Sequence, residues 1–378
     1  MYLTAYHLPL TVYGYIMSNI KKIGVLTSGG DCSGLNAVIR AVVHRAILHY
    51  GWEVYGIYDG TKGLMDRPMR YKKLTIADVD TNILRQGGTF LGTVNSGDPF
   101  AYPMPDGSKK DRSNEVIDGY NQLGLNALIS MGGDGSMAIL RRMAQQGGIN
   151  FVGVPKTIDN DLGATETAVG YDTAVNVATE ALDRLQPTAA SHHRVMILEV
   201  MGRDAGHIAL ASGIAGGADV ILMPEIPWNM AAVKAKIDSL RGNGRNFALV
   251  VVSEAVKTEK NEPVMHKFAD GQVRYGGIGQ YLGTRIAQET GAETRVTVLG
   301  HVQRGGQPSP HDRVLASSFG VHAVDLVAQG KFDRIVVWRN RGLTDVPITE
   351  AIASYRAVEV DGAMVHTARG LGICLGDK

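Results

Sequence analysis

The sequence predicts an α/β protein of two doubly wound, Rossmann-like domains with mainly parallel sheets. Three observations carry this expectation. Short apolar runs of strand length alternate along the chain with longer segments of helical periodicity, the pattern of parallel sheets flanked by helices. Glycine-rich turns gather at the ends of those runs, and ligands of such folds sit outside the carboxyl ends of the strands. The length of 378 residues predicts about two domains.

Taken in order, residues 1–16 read as an N-terminal extension, with Met17 a candidate initiator. They lack the basic start and long apolar centre of a signal peptide. Ile23 to Thr27 is the first predicted strand, Ser28-Gly29-Gly30-Asp31 a turn, and Gly34 to Tyr50 a helix, with Leu35, Val38, Val42 and Ala46 at helical spacing. Glu53 to Tyr58 returns as a strand. Residues 101–114, rich in Pro, Gly, Ser and Lys, read as a loop-like insertion. Further strands are predicted at 127–131, 150–154, 194–200, 218–223, 246–253, 294–299 and 333–338, with helices between them.

Composition narrows the function. With 44% hydrophobic and 20% charged residues the chain is that of a globular protein with a large core. A formal net charge of +1 gives no global attraction to nucleic acid or an anionic membrane. Any phosphate must therefore be met by local clusters of Arg and Lys. Two cysteines, Cys32 and Cys374, are too few for a disulfide framework and fit a reducing cytoplasm. No stretch is long enough to span a bilayer.

Two strand ends carry chemistry. After Phe151-Val152-Gly153-Val154 comes Pro155-Lys156-Thr157-Ile158-Asp159-Asn160-Asp161. Pro155 ends the ladder. An extended continuation would put Asp159 and Asp161 on one face, which suits a general base beside a cation-binding group. A polar turn that bonds its own backbone is the plainer alternative. Upstream, Gly132-Gly133-Asp134-Gly135-Ser136 joins an apolar run to the helix-like Met137-Ala138-Ile139-Leu140. Backbone N–H groups at such a junction can meet phosphate, and Asp134 stands where a phosphate-bridging magnesium would want a carboxylate. The alternative is a tight turn with Asp or Ser as helix cap. The turn at Gly29-Gly30 matches neither a Walker loop nor a dinucleotide fingerprint.

The second half supplies cations. Arg203, Glu254, His301 and Arg304 all fall at or beyond predicted strand ends, whereas Arg194 and Arg295 fall at strand starts. Strand polarity puts those two at the opposite edge of a sheet. If they serve the same ligand they come from a neighbouring subunit, which predicts an oligomer.

These segments, with Met201-Gly202-Arg203 and Arg295-Val296-Thr297-Val298-Leu299-Gly300-His301-Val302-Gln303-Arg304-Gly305-Gly306, resemble the 6-phosphofructokinase family, in order from about residue 21 to the last fifty residues. The resemblance implies magnesium-assisted phosphoryl transfer to the 1-hydroxyl of fructose 6-phosphate, giving fructose 1,6-bisphosphate, in a cleft between the domains; the family contains both ATP-using and pyrophosphate-using members. It implies Asp159 as general base, Asp161 as its supporting carboxylate and Asp134 as the magnesium ligand. Thr157 and Arg203 would hold the transferring phosphoryl, and Gly30, Gly133, Gly135, Ser136 and Lys156 the donor. Ile158, Met201, Gly202 and Glu254 would line the sugar site, with His301 and Arg304 on the 6-phosphate. Arg194 and Arg295 would reach that phosphate from the adjacent subunit of a homo-oligomer. The implied domains are 17–170 plus 303–353 for the donor and 171–302 plus 354–378 for the sugar.

The donor is read from two positions. Gly135 resembles ATP users, since an Asp there would repel an α-phosphate; Lys156 is a feature of many pyrophosphate users. ATP is favoured, with pyrophosphate the alternative donor. A regulatory sugar-phosphate-binding subunit would be expected to lose Asp159 or Asp134, and both are present. Asn95, Thr61 and Ile139 depart from the family pattern around the nucleotide, and His44 and Asp219 depart from it at the effector site beside Arg40, so the family's usual effectors are not carried over.

Overall fold

The computed structural model describes residues 20–95, 97–267 and 273–377; the expected extension 1–16 and Met17 lie outside the described residues. The first half runs β1 (Lys22–Thr27), α1 (Leu35–Tyr50), β2 (Glu53–Ile57), α2 (Lys62–Met65), β3 (Tyr71–Leu74), β4 (Tyr102–Pro103), β5 (Lys109–Lys110), α3 (Ser113–Gln122), β6 (Ala127–Gly132), α4 (Asp134–Gly147) and β7 (Phe151–Pro155). The second continues α5 (Tyr171–His192), β8 (Val195–Val200), α6 (His207–Ala215), β9 (Val220–Leu222), α7 (Met230–Gly242), β10 (Ala248–Ser253), β11 (Met265–Lys267), β12 (Val273–Tyr275), α8 (Ile278–Thr290) and β13 (Thr294–Val298). The chain closes with α9 (Pro310–Ala328), β14 (Arg334–Arg339), β15 (Gly342–Pro347), α10 (Ile348–Ala353) and α11 (Ala363–Gly370).

The strands form two main sheets. The larger has the order β15-β14-β7-β6-β1-β2-β3 and the smaller β13-β8-β10-β9. The five central strands of the larger sheet pair in parallel, and its two edges, β3 and β15, are antiparallel. All pairs of the smaller sheet are parallel. Strand order in the larger sheet reverses between β1 and β6. Such a switch point opens a crevice outside the carboxyl ends of the two strands, and the two glycine turns follow those ends.

Period-two burial explains why both sheets are covered on both faces. In β6, Ala127, Ile129 and Met131 join one apolar cluster and Leu128 the cluster on the other face. In the smaller sheet Val195 and Ile197 of β8 face one cluster, while Leu198 and Val200 join the large cluster that also contains Ile23 and Val25 of β1. One continuous core therefore runs from one sheet to the other. Within it α1 lies against α9 at Gly320, where a Cβ would stand 2.7 Å from the Ala41 Cβ and 2.7 Å from the Val38 carbonyl oxygen.

Two local expectations need correction, and several exposed strands went unanticipated. Residues 101–114 are not simply a loop: β4 and β5 form a small antiparallel ribbon, and α3 starts at Ser113. The edge strands β3 and β15 and the ribbon β11–β12 carry no alternating apolar pattern that would announce them, because they are largely solvent-facing. The segment after Pro155 is not extended, since Asn160 adopts a left-handed φ of 54°.

Candidate active site

One wall of the site, with both glycine turns, is built at the switch point. Gly29 takes φ 80° and comes so close to α4 that a Cβ on it would lie 2.9 Å from Ser136 Oγ. The N–H of Ser28 donates to the Met131 carbonyl at 2.9 Å and Thr93 Oγ1 to the Gly29 carbonyl at 2.6 Å, which holds the turn between β1 and the 93–95 loop. α4 begins at Asp134 with Gly133 as N-cap and no side-chain cap, so neither Asp134 nor Ser136 serves as the cap that turn chemistry alone allowed. The first-turn amides of α4 are left for a ligand, and the helix dipole favours an anion there. A Cβ on Gly135 would meet nothing within 4 Å.

Lys156 enters from the end of β7. Its ammonium donates to the Gly30 carbonyl and the side chain is buried; burial pushes its pKa down. It thus braces the Gly29-Gly30 turn from beneath. Arg304 closes the other flank: Nη1 donates to the Asp31 carbonyl at 3.2 Å and would lie 3.0 Å from a Cβ on Gly30. Asn95 Oδ1 lies 3.6 Å from that same Cβ position.

Next along the chain, the left-handed Asn160 folds the acidic segment into a turn. Its amide bonds the Glu166 carbonyl and the Ala168 N–H, both at 3.2 Å, which pins the following loop. Thr157 Oγ1 accepts from the Asp159 N–H at 3.1 Å and donates to Asp161 Oδ1 at 3.0 Å. The two carboxylates are brought together by this turn and not by a shared strand face. Asp159 is 8% exposed, its Oδ1 is buried, and no hydrogen-bond partner meets that oxygen among the described residues. Burial, then the charge of Asp161, pushes its pKa up to about 6, against the pull of Arg304, Arg203 and Lys156. Burial also raises Asp161. Ile158 between them is fully buried.

The facing wall comes from the smaller sheet. Met201-Gly202-Arg203 follows β8, with Gly202 at φ 152° and Arg203 at φ 50°. Glu254, just beyond β10, accepts from the N–H groups of Gly202 (3.3 Å) and Arg203 (3.0 Å), and burial raises its pKa to about 7. The Arg203 guanidinium reaches across the cleft to Asp134 Oδ1 at 3.4 Å and lies 3.9 Å from Asp161 Oδ2. A short 3₁₀ turn, Gly300–Arg304, follows β13 with His301 exposed.

Arg194 and Arg295 are not part of this gathering. They sit at the start of β8 and near the start of β13, the opposite end of the smaller sheet, and both pair with Glu293, Arg194 at 2.9 Å. Of the remaining expected residues, Asp134, Asp159, Asp161, Lys156, Arg203 and Arg304 gather between the carboxyl ends of β1, β6 and β7 on one side and β8 on the other, with Glu254 behind the 202–203 turn; Ile158 is buried beneath them and His301 stands exposed on the turn after β13. Sequence reasoning passed over Asn160, Gln303, Asp204 and Tyr275. Gln303 donates nothing visible to pattern reading, yet it bonds the Met201 N–H at 2.7 Å. Tyr275 donates to Asp204 at 2.7 Å from a ribbon that the sequence did not announce.

A buried carboxylate with a free oxygen, opposed to an arginine, a lysine and unsatisfied helix amides, suits proton removal from an alcohol beside a polyanionic phosphate.

The Phosphofructokinase family model matches residues 22–327. An ATP-dependent 6-phosphofructokinase 1 from Synechocystis sp. is 64% identical over 361 residues, covering 96% of this chain and 100% of that protein. The protein of the same name from Nostoc sp. is 63% identical with the same coverage. Among solved structures, phosphofructokinase from Saccharomyces cerevisiae superposes with TM-score 0.74 at 30% identity over 93% of this chain, which spans only 47% of the yeast chain. A pyrophosphate-dependent phosphofructokinase from Marinobacter aquaeolei shares the fold, with TM-score 0.77 at 23% identity, covering 94% of this chain and 88% of that one.

Proposed function

The chain belongs to the phosphofructokinase family, and from that premise we infer what its cleft does: it transfers the γ-phosphoryl group of ATP to the 1-hydroxyl of fructose 6-phosphate, giving fructose 1,6-bisphosphate in glycolysis. The observation that carries the residue roles is Asp159. A carboxylate with pKa near 6 is ionised at neutral pH and more basic than an ordinary one, as a general base should be. Asp159 accepts the proton of the sugar 1-hydroxyl, and Asp161, through Thr157, holds the turn that aims it. Because this transition state spreads charge over phosphoryl oxygens, cations and positioning dominate. Arg203 and Thr157 serve the transferring phosphoryl. Gly30, Gly133, Gly135, Ser136 and the brace Lys156 form the donor cradle.

Asp134 is suited to magnesium. Its carboxylate is half exposed at the cleft and caps no helix. Among the described residues no group of three or more His, Cys, Asp or Glu forms an all-protein metal cage, and magnesium normally takes one or two carboxylates with phosphates and waters. Asp134 would hold it with Asp161 nearby; when bound, it would offset the negative charge of the donor phosphates. Open space at Gly135 leaves room for a nucleotide's α-phosphate. Lys156, being engaged with Gly30, is compatible with that donor.

The sugar would lie against Ile158, Met201, Gly202 and Glu254, with its 6-phosphate toward His301 and Arg304. Arg194 and Arg295 serve the same phosphate in a neighbouring subunit of a homo-oligomer. Their place at the far end of the sheet and the exposed Val298 on edge strand β13 support this. The domain division is 17–170 plus 303–353 against 171–302 plus 354–378; the strands of each main sheet fall within one of these sets. No helix among the described residues is long and apolar enough to cross a membrane, and we place the enzyme in the cytoplasm.

The test of the base is Asp159→Asn. Turnover should fall by about 10²–10⁴-fold while fructose 6-phosphate still binds in isothermal titration. Undiminished turnover would remove Asp159 from the role.

A further inference from the structure

We propose that Gln303 is a positioning residue that holds Arg203 in its working conformation and joins it to the turn Gly300–Arg304. The Gln303 side chain is 1% exposed. Its Oε1 accepts from the Met201 N–H at 2.7 Å; a backbone N–H can only donate, so the amide orientation is set. The other end, Nε2, is buried with no hydrogen-bond partner among the described residues. An unpaired buried donor is unfavourable, and an apolar side chain of similar length would avoid it. What distinguishes glutamine here is the bond to Met201.

That bond completes a set. The N–H groups of Met201, Gly202 and Arg203 all donate to side-chain oxygens, the first to Gln303 and the next two to Glu254. Arg203 sits at φ 50°, a region that a non-glycine residue enters only when its surroundings hold it there. The Ala205 N–H closes the turn around it by donating to the Gly202 carbonyl at 3.0 Å, and Glu254, just beyond β10, and Gln303, in the turn after β13, hold that turn in place. The same turn is fastened to the donor side: Arg304 donates to the Asp31 carbonyl, and Ser33 Oγ to the carbonyls of Gly305 and Gly306 at 3.1 and 2.9 Å. Neighbouring side chains of one turn thus grip the two halves of the cleft, Gln303 the Arg203 side and Arg304 the donor side. A displacement of the Gly300–Arg304 turn is passed to the backbone of Arg203.

This inference rests on the phosphoryl-binding role given to Arg203 above, and a double-mutant cycle tests it. Gln303→Met should lower kcat by about ten- to a hundredfold, since misplacement of a reacting group by about 1 Å can cost that much. The KM for ATP should stay within about twofold of the wild type. In an Arg203→Ala background the same substitution should change kcat by less than about twofold, because the group it positions is gone. Gln303→Asn keeps the amide but withdraws Oε1 from Met201, and should reproduce the loss of kcat while circular dichroism shows it folded at the assay temperature, although its melting temperature falls; it decides the matter if Gln303→Met folds poorly. Unchanged kcat in the single variants, or equal losses with and without Arg203, would overturn the proposal while leaving the reaction intact. A wild-type enzyme without turnover would overturn the functional reading and this inference together.

Discussion

At the residue scale the account depends on Asp159. Its ordinary pKa of 3.8 is raised to about 6 by burial and the neighbouring Asp161. A carboxyl whose folded pKa is raised costs stability when ionised: the cost is absent below about pH 3.8, grows across the window between the two values and is full above about pH 6. Asp159→Asn should therefore melt at a higher temperature than wild type at pH 8, with the difference closing as pH falls toward 4. A difference independent of pH, read by calorimetry, would show that the carboxylate is not strained by burial. Gly135 makes a second prediction. Its Cβ position opens on empty space, so Gly135→Asp should fold normally yet lower kcat/KM for ATP by tenfold or more, the factor that about 1.4 kcal/mol of charge repulsion represents. The identities of these residues were readable from motif and position. Their wiring was not, because a left-handed Asn160 and the bond from Gln303 to Met201 depend on segments up to 102 residues apart.

At the element scale, strands buried on both faces were legible and exposed ones were not. β6 and β10, buried along their whole length, stand within a residue or two of their expected bounds. β3 reads Tyr71-Lys72-Lys73-Leu74 with only Leu74 buried, so no apolar signal exists to find. Antiparallel edges need only one covered face, and lysines there discourage pairing with other sheets. Helix packing offers its own check. Gly320 lets α9 lie directly on α1, with the Val38 carbonyl 2.7 Å from where a Cβ would be. Backbone cannot yield as a side-chain tip can, so Gly320→Val should destabilise the fold by about 1–3 kcal/mol. A denaturant midpoint equal to wild type would mean the two helices separate freely.

At the scale of the whole molecule, two sheets present the carboxyl ends of their strands to one cleft, and a continuous apolar core joins them. The sequence made the alternation visible but not the strand order, since order is decided by which crossovers pack and not by local pattern. Strand polarity leaves Arg194 and Arg295 at the far end of the smaller sheet, paired with Glu293. If a second subunit uses them, Arg295→Ala should raise the KM for fructose 6-phosphate about tenfold or more with little change in the KM for ATP, and sedimentation should show an oligomer. A monomeric, fully active wild type would contradict that arrangement. The most direct test of the whole account is a coupled assay for fructose 1,6-bisphosphate with ATP, ADP and pyrophosphate offered separately. The account predicts turnover with ATP and magnesium and little with the other two. Turnover with pyrophosphate alone would contradict the weight given to Gly135, and turnover with none of them would contradict the reaction itself.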